Sequence, residues 1–229
     1  MSIMHKEMFG INETLAKEIL EVALSTGGDF AEVYMEKTTN EVLRLHSGKL
    51  STANVSKVKG AAIRIIKGEL EVNSSITDCT YENLLKAAKT LAGSFNDKKH
   101  VEVQPFVEKK VELVVNPKNV RGNDISREVN LLKTASDTIY AYSKEIVQVI
   151  CNLTKTEKRI FVFASDSTWQ TDYRCNTRLS CQAVASDGKE METGFDSFGR
   201  NQGMEMFDDF DVVPFAKQVA HDAVEMLHA

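Results

Sequence analysis

Residues 59–78 constrain the fold more than any other part of the sequence. They contain two runs in which apolar and polar residues alternate, with Gly68 between the runs. Such alternation is typical of β-strands that bury one face, and glycine readily adopts the positive φ of a tight turn. Asp78-Cys79-Thr80 then offers capping side chains to the segment YENLLKAAKTLA, whose leucines and alanines recur at helical spacing. The stretch therefore predicts a β-hairpin followed by a packing helix.

The residues before this hairpin predict one more helix and two more strands. Asn12 can cap a helix with an apolar stripe, and Gly27-Gly28 follows it as a stop signal. Residues 29–36 and 41–50 alternate as two short strands, the second of which closes at a glycine-containing turn. With the hairpin and its helix, these elements predict an N-terminal lobe of one helix, four strands and one helix over residues 1–95.

Residues 125–229 predict the same order a second time. The clearest strand of the sequence spans residues 172–184, and Asp187-Gly188 is a typical hairpin turn after it. The other predicted elements are a helix capped by Asp124 or Ser126, a strand from Glu145, a short apolar run at 159–164, a strand at 190–193, a glycine-containing loop GFDSFGRNQG, and a closing helix.

Residues 96–124 are predicted to link the two lobes, because a polar run at 96–100 is followed by an extended-looking stretch that two prolines interrupt. The shared order of elements suggests an internal duplication. The predicted fold class is therefore α+β, with two similar helix–four-strand–helix lobes that form an antiparallel or mixed sheet backed by helices.

The composition excludes several classes of protein. Lysine and arginine number 28 against 33 acidic residues, so the net charge is −5, and there is no long basic run that would bind nucleic acid. The four cysteines form no CxxC pair, and neither a leader segment nor an apolar run of about 20 residues is recognisable. These features predict a cytoplasmic protein without a membrane span.

One row of side chains has a spacing that could suit a metal ion. His221, Glu225 and His228 fall on one face of the closing helix. The opposite face carries the apolar residues of that helix, and HxxxExxH is not a recognised zinc-ligand spacing. The row is therefore interpreted as a solvated helix face, and no metal site is predicted in this chain.

The sequence contains no other pattern of a catalytic site. There is no GxSxG motif and no phosphate-binding glycine pattern, and no histidine neighbours a cysteine. Cys175 and Cys181 fall on the apolar face of a strand and are predicted to be core residues. Trp169 is interpreted as a partly buried rim residue, with an exposed aromatic that anchors a peptide as the alternative. No catalytic, cofactor-binding or metal-ligating residue is predicted.

Several stretches nevertheless resemble the N-terminal region of the TldD/PmbA family, once called modulators of DNA gyrase and understood as zinc-dependent peptidases. The similar pieces are a strand after a helix (Ala31, Glu32, Val33, Glu36), a G-x-A-I-R strand (Gly60, Ala62, Ile63, Arg64) and the turn at Gly68. The segment DGKEMETGFDS and the helix after DVVPFA are similar to the middle region that precedes the catalytic part of these proteins.

The resemblance implies a role for this chain within a larger enzyme. Active members carry an HExxxH helix and a later cysteine as zinc ligands, which would lie downstream of Ala229, and no residue here matches either motif. Zinc is thus expected in the full-length parent and not in this chain. The family also implies a cytoplasmic dimer, of two like chains or of an active and an inactive subunit, that cleaves unfolded peptides in a closed chamber. This chain would form the chamber wall, bind peptide and support dimerisation.

The sequence is also compatible with two other interpretations. The chain could belong to a non-catalytic partner subunit or to a peptide-binding or modulator protein. A role in modulating gyrase is the weakest, because a net charge of −5 gives no attraction to DNA, although contact with protein would still be compatible with it.

Overall fold

The structure is a computed structural model that describes residues 9–108 and 125–229. The first half contains three long strands between two helices. Its elements are α1 (Glu13–Ala23), β1 (Phe30–His46), β2 (Lys49–Lys67), β3 (Leu70–Ile76) and α2 (Tyr81–Ala92).

The second half repeats this order after one short strand, β4 (Val107–Glu108). Its elements are α3 (Ile125–Tyr142), β5 (Ile146–Ala164), β6 (Thr168–Ser186), β7 (Met191–Arg200), a 3₁₀ turn (Met204–Phe207) and α4 (Val212–Leu227). Helix–three strands–helix therefore occurs twice.

The strands described in residues 9–108 and 125–229 form one seven-stranded sheet. The order is β3-β2-β1-β5-β6, and both β4 and β7 pair with β6. The pairs β2–β3 and β6–β7 are antiparallel, with Ile63 opposite Ser74 and Ala183 opposite Gly194, whereas β4 runs parallel to β6. The predicted α+β class, with a largely antiparallel sheet and helices, is confirmed.

The number of strands in each half differs from the prediction. Residues 29–36 and 41–50 belong to one continuous hairpin of long strands, because Thr38 and Thr39 carry β1 onwards where a break was expected. Threonine is β-branched and suits an extended backbone. In the same way, the runs at 145–153 and 159–164 are a single strand, β5. Each half thus has three long strands and not four.

The segment predicted as a glycine-containing loop is a second correction. GFDSFGR lies within β7, and the hairpin turn at Asp187-Gly188 leads directly into it. Glycines such as Gly194 and Gly199 favour a loop in the sequence, but both lie in the paired strand. A strand glycine can mark a close approach by other backbone, and Gly194 is such a position.

Local capping agrees with the sequence at two helices. The side chain of Asn12 accepts a hydrogen bond from Leu15 N (2.9 Å), and that of Thr80 accepts one from Asn83 N (3.3 Å). In α3, Ser126 lies inside the helix and does not cap it, while the other predicted cap, Asp124, lies outside the described residues.

Most of the predicted linker, from residue 109 onwards, also lies outside the described residues, and the lobe boundaries stay a prediction.

The chain divides into two compact units that interleave along the sequence. Among the described residues, unit 1 contains 9–38, 57–108 and 158–173, and unit 2 contains 39–56, 125–157 and 174–229. No helix in the described parts of either unit has both the length and the apolar character that crossing a membrane requires.

The core of unit 1 is rich in aromatic side chains. Helices α1 and α2 bury Ile19, Leu20 and Leu84 against aliphatic residues of β1 and β2. Trp169 is the centre of an aromatic group: its ring lies 4.8 Å from that of Phe161 and 4.8 Å from that of Phe106, centroid to centroid. Trp169 is therefore a core residue and not the partly buried rim residue that was predicted.

The core of unit 2 combines small side chains on α4 with larger aliphatic side chains and phenylalanines elsewhere. The buried positions of α4 are mainly alanine and valine, and they pack with aliphatic residues of α3, β5 and β6. Helix α4 lies so close to β7 that a Cβ added to Gly194 would be 2.2 Å from Val219 O. Only glycine allows this approach of helix to strand.

Candidate functional site

The histidine row on α4 does not converge on one point. Tyr142 Oη lies 3.1 Å from His221 Nδ1, and His221 Nε2 lies 3.4 Å from a carboxylate oxygen of Glu225. His228 instead has its Nε2 3.0 Å from Glu145 Oε1. These contacts connect the end of α4 to residues around the start of β5.

Whether this row could bind a metal ion depends on how many donor side chains lie close together. In residues 9–108 and 125–229, no three histidine, cysteine, aspartate or glutamate side chains are grouped so that they could hold a metal ion. Structural and catalytic zinc sites require at least three protein ligands that converge. The described residues do not fit such a site.

The cysteines are placed as core residues and not as nucleophiles. Cys175 and Cys181 are buried, as predicted. Burial raises the pKa of the Cys175 thiol to about 11, and the Sγ of this residue lies 3.2 Å from Gln202 O. The contact with Cys151, together with burial, also raises the pKa of Cys181. Because the thiolate is the nucleophile, both groups are poorly reactive at neutral pH.

A buried ion-pair cluster lies in unit 2. Lys155 Nζ of β5 is 2.6 Å from Glu128 Oε1 of α3 and 2.7 Å from Glu41 Oε2 of β1. The side chains of Lys155 and Glu128 are each only 4% exposed, so the ammonium and the carboxylate compensate each other inside the protein. The cluster ties helix α3 to the sheet, and the burial of Lys155 and Glu128 indicates a structural role.

Sequence reasoning missed this cluster, although a signal was present. Lys155 occupies the same strand face as Val149, Cys151 and Leu153. A lysine in phase with buried residues of a strand indicates either a bulge or a buried partner. The partners come from β1 and from a distant helix, so their identity could not be read from the strand alone.

The outer edge of β7 is an exposed part of unit 2 that can take part in binding. Strand β7 pairs with β6 from Met191 to Arg200, and no other described strand pairs with it. Because Ala183 faces the core and lies opposite Gly194, Phe195 points to the other side of the sheet. Phe195 is 57% exposed and Met191 is 70% exposed.

A second edge lies at β2. Strand β3 pairs with β2 only from Ala61 to Lys67. Residues 49–60 of β2 have no β3 partner, and Leu50, Val55 and Val58 among them are exposed. Open strand edges present unpaired main-chain groups that an extended chain can join.

Comparison with protein families gives two matches, which together cover about three quarters of the chain. Residues 31–94 match the model described as PmbA/TldA metallopeptidase domain 1, and residues 118–227 match the PmbA/TldA metallopeptidase central domain. The chain belongs to the TldD/PmbA family. The resemblance noted in the sequence is thereby confirmed.

Solved structures agree with the fold of this TldD/PmbA chain. A protein from Thermotoga maritima named as a modulator of a DNA gyrase is similar with a TM-score of 0.70 at 16% identity, and one from Bacteroides thetaiotaomicron with 0.72 at 13%. In both cases the match covers 95% of this chain and 49% of the other. TldE from Thermococcus kodakarensis gives a TM-score of 0.63 at 14% identity, over 93% and 47% of the two chains. This TldD/PmbA chain thus spans about half the length of these structures. No curated protein matches its sequence.

Proposed function

We propose that this chain is the N-terminal and central part of a TldD/PmbA-type metallopeptidase that acts on unfolded peptides in the cytoplasm. The observation that carries the proposal is the pair of family matches, since both are to domains of a metallopeptidase. Similar solved structures are about twice as long as this chain, which leaves room for a catalytic part elsewhere in the parent protein.

Within that enzyme, the chain serves as a scaffold and not as the catalyst. The described residues supply no converging metal ligands, and the cysteines of the chain are buried. We assign zinc and the group that activates water to the rest of the parent. The scaffold forms the wall of the chamber and brings two related subunits together as a dimer.

Binding of unfolded substrate is assigned to strand edges. Main-chain hydrogen bonds from an edge accept an extended peptide of almost any sequence, which suits an enzyme that does not select one peptide. The β2 edge, with its exposed apolar side chains over residues 49–60, supports this role.

A non-catalytic partner subunit is the second candidate. The two family matches are equally compatible with this candidate, because they cover domain 1 and the central domain and no other part of the parent. In that case the parent chain would bind peptide and a related active subunit without cutting the peptide itself.

The deciding experiment compares the full product of the gene with the 229-residue chain. If the proposal is correct, the full product holds about one zinc ion per chain and cleaves casein-derived peptides, while the 229-residue chain does neither. A full product that binds unfolded peptide but holds no zinc supports the non-catalytic partner. A full product that neither binds zinc nor binds peptide contradicts both.

A further inference from the structure

Two free cysteines face each other in the core of unit 2. Cys151 lies on β5 and Cys181 lies on β6, the neighbouring strand, and their Sγ atoms are 2.9 Å apart. Both residues are free thiols and are 0% exposed. A contact between two thiols is the arrangement from which a disulfide within one chain can form.

The pairing of β5 with β6 holds these two cysteines directly opposite each other. Asn152 Nδ2 lies 3.5 Å from Ser180 Oγ, so the next residue on β5 meets the preceding residue on β6, as in antiparallel strands. Residues directly opposite in such a pair have Cβ atoms about 4.5–5.5 Å apart, and a disulfide has them about 3.5–4.5 Å apart. A small local adjustment is therefore enough to bring the two sulfur atoms to bonding distance.

The other two cysteines contact backbone oxygen and not sulfur. Cys175 Sγ lies 3.2 Å from Gln202 O, and Cys79 Sγ lies 3.6 Å from each of two backbone carbonyl oxygens. All four cysteines are free and buried, so burial does not distinguish Cys151 and Cys181 from the rest. The contact between their thiols does, and oxidation is therefore expected to join these two residues and no others.

We propose that Cys151 and Cys181 form a redox pair, which peroxide oxidises to a disulfide between β5 and β6. The thiolate of one cysteine attacks an oxygen of hydrogen peroxide and becomes a sulfenic acid, with loss of hydroxide. The second thiol then displaces the sulfenic hydroxyl group as water, and the S–S bond forms. The two thiols together lose two electrons to one peroxide molecule, and two water molecules result, because the hydroxide takes up the proton of the first thiol.

Burial makes this reaction depend on local opening of the sheet. Peroxide reacts with the thiolate, and a thiol that is 0% exposed meets neither peroxide nor the water that accepts its proton. Parts of a folded protein open locally at a free-energy cost no greater than that of global unfolding. In a reducing cytoplasm the redox pair is therefore a dithiol, and sustained exposure to peroxide converts it to the disulfide.

The disulfide would constrain unit 2. It closes a loop from residue 151 to residue 181, which removes extended conformations from the unfolded chain. Helices α3 and α4 pack on the same core as the redox pair, so the cross-link lies at the centre of the unit. The oxidised chain is thus expected to resist unfolding better than the reduced chain, whether or not the parent protein is a peptidase.

Counting of free thiols tests the redox pair. The 229-residue chain is treated with hydrogen peroxide at neutral pH, with and without urea below the unfolding midpoint, and is then unfolded in the presence of N-ethylmaleimide. The untreated chain should take up four labels and the oxidised chain two, with four restored by prior reduction with dithiothreitol. A peptide map should join residue 151 to residue 181. Four labels in every condition, a loss that dithiothreitol does not reverse, or a disulfide that includes Cys79 or Cys175 would each overturn the proposal.

Matched alanine variants separate the redox pair from the other cysteines. Cys175→Ala should still lose two labels on oxidation, whereas Cys151→Ala should keep all three of its labels after treatment with dithiothreitol. The urea midpoint of the unsubstituted chain should rise on oxidation, and that of Cys151→Ala should not change. Equal midpoints for the reduced and the oxidised unsubstituted chain would overturn the constraint on unit 2. If Cys151→Ala does not fold, Cys181→Ala takes its place, and the peptide map of the unsubstituted chain decides the pairing by itself.

Discussion

The two halves of the chain contain the same order of helices and strands, but the two units, which each draw on both halves, fill their interiors differently. Unit 1 surrounds Trp169 with phenylalanine rings, whereas unit 2 brings α4 onto the sheet through alanine and glycine. Unit 2 also buries an ion pair, while the polar contacts of unit 1 around Asp29 and His100 are half-exposed. The difference shows that a repeated order of helices and strands does not fix the side chains that stabilise it.

The largest effect is expected from removing the aromatic centre of unit 1. Trp169→Ala should lower the free energy of unfolding by about 4 kcal/mol, because it removes contacts with at least three rings and leaves a cavity. This loss would be measured by urea denaturation, with unfolding monitored by circular dichroism. Leu70→Ala, at a position 65% exposed, is the control and should change the stability by less than about 1 kcal/mol. Equal losses in both variants would show that Trp169 is not the centre of the core.

The second largest loss of stability is expected when the buried ion pair of unit 2 is broken. Lys155→Met leaves the Glu128 carboxylate buried without its cation and should cost about 3 kcal/mol in the same assay. Combining it with Glu128→Leu should recover most of the loss, because the deeply buried carboxylate is removed with its cation and the remaining Glu41 side chain, 21% exposed, still reaches water. A double variant less stable than Lys155→Met alone would mean that the pair is required for more than charge compensation.

The close packing of α4 on β7 predicts a smaller loss. Gly194→Ala should destabilise the protein by about 2 kcal/mol, because its Cβ would fall 2.2 Å from Val219 O and 2.6 Å from Ala223 N, and backbone must shift. Gly60→Ala is the matched strand control, since its nearest neighbour would be Ile76 O at 3.5 Å, an ordinary contact. Similar melting temperatures for the two variants would contradict the close approach.

The smallest effect on stability is expected from the surface contact between His100 and Asp29 in unit 1, and this effect depends on pH. His100 Nε2 lies 2.7 Å from Asp29 Oδ1. This hydrogen bond raises the pKa of His100 above its usual 6.5, while the hydrogen bond from Gly68 N and the contact with His100 lower the pKa of Asp29 below 3.8.

The stabilisation from His100 is fully present below pH 6.5 and is lost as the pH rises through its folded pKa. The stabilisation from Asp29 is present above pH 3.8 and is lost as the pH falls through the lowered pKa of Asp29. His100→Asn should therefore lower the urea midpoint most between about pH 4 and pH 6.5, and least at pH 8. An equal shift at pH 5 and pH 8 would show that the ion pair does not form.

Several features of this protein could be predicted from the sequence because they depend on neighbours along the chain. The hairpin around Gly68, the caps at Asn12 and Thr80, and the turn at Asp187-Gly188 all follow from local conformational preference and from spacing. The repeated order of elements and the family resemblance were likewise visible in the sequence alone. The continuity of β1 and β5 was missed, since a strand continues or breaks according to the partner strand beside it.

Only the tertiary structure decided which side chains meet across the fold. Lys155 finds Glu41 and Glu128, Trp169 finds Phe106, and α4 rests on Gly194, all through contacts between residues far apart in the chain. Such contacts depend on how strands and helices are paired in space, which no local pattern encodes. The same is true of the candidate edge at β7: the alternation of its residues is local, but its openness follows from its position at the end of the sheet.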